Sequence, residues 1–274
     1  MPYAVNQRTK LYWEEYGSGR PVLLIMGLSF THEMWFRVLP YLTSEHRVIV
    51  FDNRGMGRSD VPKGCYSISQ MAADAHAILK AAGIAAADVI GASMGGMIAQ
   101  ELALRFPESV RRLVLACTTH GGLFARWPDF TGRHTRRNNR SGAGAWERAL
   151  IPLLYADTTP RERIDEDLKI RSGCQWCFRG FSGQLAGILM WSSYRRLPRV
   201  TARTLVIHGE YDRLVPPQNG RAVAARIPHA KFQLVPQAGH MLLTDQPETC
   251  AEMVLSFLGD EEVSAVLRDV ARCV

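Results

Sequence analysis

Four short apolar runs constrain this chain more than any other feature: VLLIM at 22–26, RVIVF at 47–51, RLVLA at 112–116 and TLVIH at 204–208. Each is continuous rather than alternating and rich in branched residues, as strands covered on both faces are. Strands are expected over 10–16, 21–26, 47–52, 88–91, 112–116, 204–209 and 231–236. Helical patterns stand between them over 31–42, 69–82, 94–106, 218–226 and 246–258, and Pro107 stops the third. Strand and helix in alternation imply an α/β fold with a mostly parallel sheet flanked by helices and joined by right-handed crossovers. The 274 residues suffice for one such domain without disulfide or metal staples.

Between 121 and 198 the alternation stops. No core strand is evident, and four of the six tryptophans (Trp127, Trp146, Trp176 and Trp191) fall in this stretch. A helical cap over 121–198, inserted before the last two strands, is expected, with 1–120 and 199–274 forming the core domain. Beyond the apparent end of that domain, Val263, Val266, Leu267, Val270 and Val274 recur at helical spacing. This final segment is expected to pack on its own chain.

Composition narrows the function classes. The longest apolar runs fall far short of the roughly 20 residues that span a bilayer. The N-terminal MPYAVNQRTK has no apolar stretch of the kind that directs secretion, so a cytoplasmic protein without a membrane partner is expected. The net charge of +7 owes much to 126–140, which holds five arginines and one acid. That stretch lacks regularly interleaved aromatics, so a solvated or substrate-facing patch is expected rather than a nucleic-acid surface. Of the six cysteines, only Cys174 and Cys177 form a C-x-x-C pair, with no second pair or histidines at ligand spacing. Reduced thiols are expected, with no metal and no cofactor.

The chemistry concentrates in GASMG at 91–95, a G-x-S-x-G between an apolar strand and a helical pattern. Such a turn is tight. Side chains two residues either side of Ser93 would strike the neighbouring strand and helix, so glycine fits at 91 and 95. The turn lifts the hydroxyl to the carboxyl end of the sheet, where open α/β sheets bind ligands. A serine hydroxyl needs a base, and the base needs an orienting carboxylate. His240, in VPQAGHMLL after the last strand, fills the base position. Asp212, in HGEYDRLVPP after the penultimate strand, fills the acid position; Glu210 sits too close to the strand end. An oxyanion needs two amide donors. Those expected are the N–H of Met94, next to the serine, and of Leu28, in the loop that Gly27 lets turn past it. Gly27, Trp127, Trp176, Trp191 and Met241 are expected to contact substrate.

At this point the residues resemble the α/β-hydrolase fold. The matching stretches are GASMGGMIAQELALRFPESVRRLVL, FDNRGMGRSD, HGEYDRLVPP and AGH, and they span roughly 20–258. Within the fold the pattern is similar to small carboxylesterases and 3-oxoadipate enol-lactonases. The resemblance implies that Asp52 to Asp60 brace the sheet edge and take no part in the chemistry. Met26 departs from the family's frequent His-Gly in the oxyanion loop. Ser93, where haloalkane dehalogenases and related epoxide hydrolases carry aspartate, excludes their alkyl-aspartyl chemistry. A serine hydrolase of small or medium apolar acyl or aryl esters is expected, acting as a monomer or homodimer. Lactonase or C–C bond hydrolysis by the same triad, and a non-catalytic receptor, are the alternatives.

Overall fold

The computed structural model describes the backbone at residues 3–126, 128 and 145–272, and side chains at 3–126, 128 and 150–259. Eight strands form one sheet: β1 (Tyr3–Asn6), β2 (Thr9–Tyr16), β3 (Arg20–Ile25), β4 (His46–Phe51), β5 (Ala87–Ala92), β6 (Val110–Ala116), β7 (Arg203–Gly209) and β8 (Lys231–Val235). Their spatial order is β1-β2-β4-β3-β5-β6-β7-β8. β2 pairs antiparallel with β1 and β4, and the remaining pairings are parallel.

The helices are α1 (Leu39–Thr43), α2 (Ile68–Ala81), α3 (Met94–Arg105), α4 (Ala145–Leu154), α5 (Arg161–Gly173), α6 (Phe178–Leu189), α7 (Gln218–Ala224), α8 (Leu242–Asp245) and α9 (Pro247–Arg272). Successive strand residues point to opposite faces and feed two cores. Leu23, Ile25, Ile49, Val89 and Leu113 pack with Met71 of α2 and Ile98 and Leu102 of α3. Val22, Leu24, Val48, Val50 and Val114 pack with Trp35, Leu42 and, from α9, Val254 and Leu258. Covering on both faces is why the strand sequences read as unbroken apolar runs.

Several expectations needed adjustment. β1 has four residues with a single buried side chain, too short to give an apolar run, yet it pairs with β2. The stretch over 31–42 does not form one helix. A 3-10 turn covers His32–Trp35, and α1 begins at Leu39 with a proline in its first turn. Pro40 has no N–H to give a preceding carbonyl, so it starts a helix more readily than it continues one. Past 258, the expected helix and the final segment merge into α9, whose side chains beyond 259 lie outside the described residues.

Between β6 and β7 the described residues hold α4, α5 and α6 and no strand of the sheet. These helices stand where the cap is expected. Its two ends meet where Gly121 bridges Ser192 and the Ser193 N–H donates to the His120 carbonyl at 2.9 Å. Among the described residues no helix is long and apolar enough to cross a membrane.

The Asp52–Asp60 stretch ties β4 to β2. Asp52 accepts the backbone N–H of His32 at 3.0 Å and of Arg58 at 2.9 Å. Ser59 accepts the Tyr12 N–H at 2.9 Å, and Asp60 that of Lys10 at 2.7 Å. The His32 ring lies 2.7 Å from Asp52. Burial alone would lower the His32 pKa, but the Asp52 hydrogen bond and the charges of Asp52, Glu14 and Glu33 outweigh it and hold the imidazole above its usual value. A raised histidine stabilises the fold fully below the unfolded value of roughly 6.5 and loses that contribution as pH rises through the folded value. The melting temperature of the wild type is therefore expected to fall more between pH 6 and pH 9 than that of His32→Asn; parallel curves in a pH series would refute this.

Candidate active site

Ser93 stands at the end of β5, the buried strand between β3 and β6, and its backbone holds φ 55° and ψ −117°. A non-glycine residue in that region is strained, and the surroundings must hold it there. They do so from three sides. Its N–H donates to Ala116 O at 2.9 Å, its carbonyl accepts Thr118 Oγ1 at 2.7 Å, and the same carbonyl accepts the Gly96 N–H at 2.9 Å. The flanking glycines are clearance. A Cβ at Gly91 would run into the Gly95 carbonyl, and one at Gly95 into the Ile25 carbonyl.

The three residues selected from the sequence converge. His240 Nε2 lies 3.0 Å from Ser93 Oγ, and His240 Nδ1 lies 2.8 Å from Asp212 Oδ2. Each stands on a loop at the carboxyl edge of the sheet. The His240 loop is braced from both sides: the Gly239 N–H donates to Asp245 Oδ2 at 2.6 Å and the Met241 N–H to Leu154 O, at the end of α4, at 2.7 Å. Glu210 faces elsewhere, accepting the Gln237 N–H at 3.3 Å on the exposed side.

Asp212 is almost wholly enclosed and fully hydrogen-bonded. Oδ1 accepts the N–H groups of Leu214 at 3.0 Å and Val215 at 2.8 Å. Oδ2 faces His240 Nδ1 and, at 3.2 Å, His208 Nε2. Burial pushes its pKa up, but the His240 charge and the hydrogen bonds of both imidazoles outweigh burial and hold it below the usual carboxylate value. His208 Nε2 also sits 2.7 Å from Val215 O, which can only accept, so that nitrogen carries a proton. In the sequence His208 reads only as part of the strand run TLVIH. Its place four residues before Asp212, at the end of a strand, was the available signal.

An ionised Asp212 fixes the proton of a neutral His240 on Nδ1, leaving Nε2 free to accept the Ser93 proton. Beside the hydroxyl, a Cβ on Gly27 would lie 3.8 Å from Ser93 Oγ, so backbone passes close to it. The N–H groups of Leu28 and Met94 make no hydrogen bond among the described residues. The arrangement supplies a hydroxyl and an acceptor for its proton, with Leu28 and Met94 directly following Gly27 and Ser93 in the chain.

Trp176 Nε1 donates to Ser29 Oγ at 2.8 Å, in the loop after β3. Met241 follows His240 and packs, partly buried, against Leu154 and Tyr155. Trp191 stands apart. It is buried in the larger core and donates to Glu101 Oε2 at 2.9 Å, two turns along α3 from Ser93. That placement gives it a packing role, so it is not carried into the site. Trp127 lies outside the described residues, as does most of the arginine-rich stretch after Arg126. Among the described residues there is no cluster of three or more side chains able to hold a metal ion. Ser29, in the loop after β3, donates its N–H to Gln184 Oε1 at 3.1 Å, a contact with no signal in the sequence.

A family model described as the alpha/beta hydrolase fold matches residues 20–150 and 175–247. The chain is 33% identical over 267 residues to RutD of Azorhizobium caulinodans, assigned provisionally as a carbamate hydrolase, covering 95% of this chain and 99% of that one. It is 32% identical over 275 residues to the 2-hydroxymuconate semialdehyde hydrolase of Pseudomonas putida, covering 94% and 93%. The crystal structure of the enol-lactonase from Burkholderia xenovorans matches with a TM-score of 0.82 at 25% identity, covering 94% of this chain and 99% of that one. With its eight-stranded, mostly parallel sheet and inserted helices, the chain belongs to the α/β-hydrolase fold family and is a hydrolase.

Proposed function

We propose that Ser93, His240 and Asp212 are a catalytic triad that hydrolyses a carboxylic ester of a small or medium apolar acyl or aryl acid. The observation that carries this is the line of contacts at 3.0 Å and 2.8 Å from Ser93 Oγ through His240 to Asp212. His240 Nε2 takes the Ser93 proton as Oγ attacks the ester carbonyl. The resulting oxyanion is held by the Met94 and Leu28 N–H groups. His240 then gives the proton to the leaving alcohol oxygen, and an acyl-serine remains. Water, deprotonated by His240, attacks the acyl carbon, and the acid leaves as the proton returns to Ser93. Asp212 stays ionised throughout and stabilises the imidazolium.

Gly27, Trp176 and Met241 form the near walls of the substrate site in this reading. Their apolar character suits an acyl or aryl group, and 121–198 acts as the cap over it. The likeness to an enol-lactonase supports ester chemistry, since a lactone is a cyclic carboxylic ester. We place the enzyme in the cytoplasm, acting on a small molecule as a monomer or homodimer.

A panel comparing kcat/KM on p-nitrophenyl butyrate, an enol-lactone, a vinylogous 1,5-diketone and a carbamate tests the substrate class. Open-chain or cyclic esters are expected to exceed the other two by at least about tenfold, the scale on which one or two lost contacts discriminate. The likeness to a semialdehyde hydrolase makes the diketone the sharpest competitor. A higher value for it, or for the carbamate, would replace the ester assignment while leaving the triad in place.

A further inference from the structure

We propose that Gln184 of the cap helix α6, together with Trp176, positions the oxyanion loop, so that the second oxyanion donor is set by the cap. This rests on the role given above to the Leu28 N–H.

The loop after β3 is held at two points. At its start, Asn53 Nδ2 donates to Met26 O at 2.9 Å. Just past Leu28, Ser29 holds φ 67°, where a residue with a side chain is strained. What holds Ser29 there comes from the cap. Its N–H donates to Gln184 Oε1 at 3.1 Å, and its Oγ accepts Trp176 Nε1 at 2.8 Å. Gln184 is fully buried and uses the other end of its amide as well, Nε2 donating to Arg54 O at 2.9 Å. The side chain thus spans two loops at the carboxyl edge of the sheet. Without it the Ser29 N–H and Arg54 carbonyl both lose a buried partner.

The helix that presents Gln184 is itself seated without slack. Gly180, Gly183 and Gly187 share one face of α6. A Cβ at Gly180 would run into the Gly55 carbonyl and one at Gly187 into the Tyr66 carbonyl; at Gly183 it would lie 2.7 Å from the Tyr66 ring. The Tyr66 N–H donates to Gly183 O at 3.0 Å. Backbone therefore meets backbone along α6, and Gln184 transmits a fixed position to the loop. Before Gly27 the chain carries Met26, which offers no polar side chain to hold the loop. The two cap contacts supply the missing restraint.

The test compares Gln184→Met with the wild type for kcat, KM, melting temperature and the Ki of a trifluoromethyl ketone, whose hemiketal oxyanion forms only at an intact hole. The expected result is a fall in kcat of roughly 10- to 100-fold, less than the loss of a whole oxyanion donor. KM should stay within about threefold, and the ketone Ki should rise by the same factor as kcat falls. A purely structural role would move the melting temperature and leave kcat and Ki unchanged in the folded fraction. That outcome overturns the proposal. If Gln184→Met does not fold, Ser29→Ala, which removes only the Trp176 contact, takes its place. There kcat should drop at least about threefold with the same parallel in Ki, and an unchanged kcat overturns the proposal. Ser93→Ala is the control. Full activity there would sink the triad; an inactive Ser93→Ala beside a wild-type kcat in Gln184→Met would sink this inference alone.

Discussion

Ser93→Ala is expected to lower kcat on p-nitrophenyl butyrate by about 10^5- to 10^6-fold while the protein stays folded. The hydroxyl's contact is with His240 Nε2 at 3.0 Å, and the backbone contacts that hold the strained turn all use main-chain atoms of residue 93. Alanine keeps those contacts and the same backbone conformation. Circular dichroism and the melting temperature should therefore stay close to wild type. Loss of activity through unfolding would show in the same melting curve, so the two causes separate. Retained turnover would mean that another group, or a directly activated water, attacks the substrate.

Asp212→Asn is expected to cost about 10^4-fold in kcat, and the hydrogen-bond pattern says why. Oδ1 of Asp212 accepts two backbone N–H groups, from Leu214 and Val215, so the asparagine must turn its oxygen toward them. Its NH2 then faces His240 Nδ1 and His208 Nε2. The proton on His208 Nε2 is already committed to Val215 O, so His208 cannot accept from the amide. His240 must accept, which moves its own proton to Nε2, the wrong side for taking one from Ser93. The measurement is kcat across a pH series with melting temperatures alongside. A fall of less than about tenfold would mean that Asp212 is dispensable as the orienting group.

Much of this molecule could be seen in the sequence because its physics is local or positional. Strands covered on both faces produce runs such as RLVLA, and the turn at Ser93 demands glycine at 91 and 95, so both leave marks in a single chain. His240 and Asp212 could be chosen because each follows a strand in a fixed order. Other features depend on contacts between distant residues. Gln184 meets Ser29 across 155 positions, and no periodicity announces such a pair. Trp191 misled because an aromatic in an inserted segment can face the core as well as the substrate; its partner Glu101 lies on α3. β1 went unseen because a short edge strand needs no apolar run. The helix over 31–42 was drawn too long because its spacing outweighed Pro40. His208 lay in plain view within HGEYD, but its contact with Asp212 requires the chain to turn back after β7.

The central claim is that Ser93 is a nucleophile activated by His240 and Asp212. Its most direct test is reaction of the folded protein with a fluorophosphonate ester, followed by intact mass and peptide mapping. Trypsin releases Ser93 within residues 81–105, where it is the only hydroxyl-bearing side chain. One adduct per chain on that peptide, formed rapidly in the wild type and lost in His240→Ala, is the predicted result. No adduct on folded protein, or an adduct on any other peptide, would contradict it.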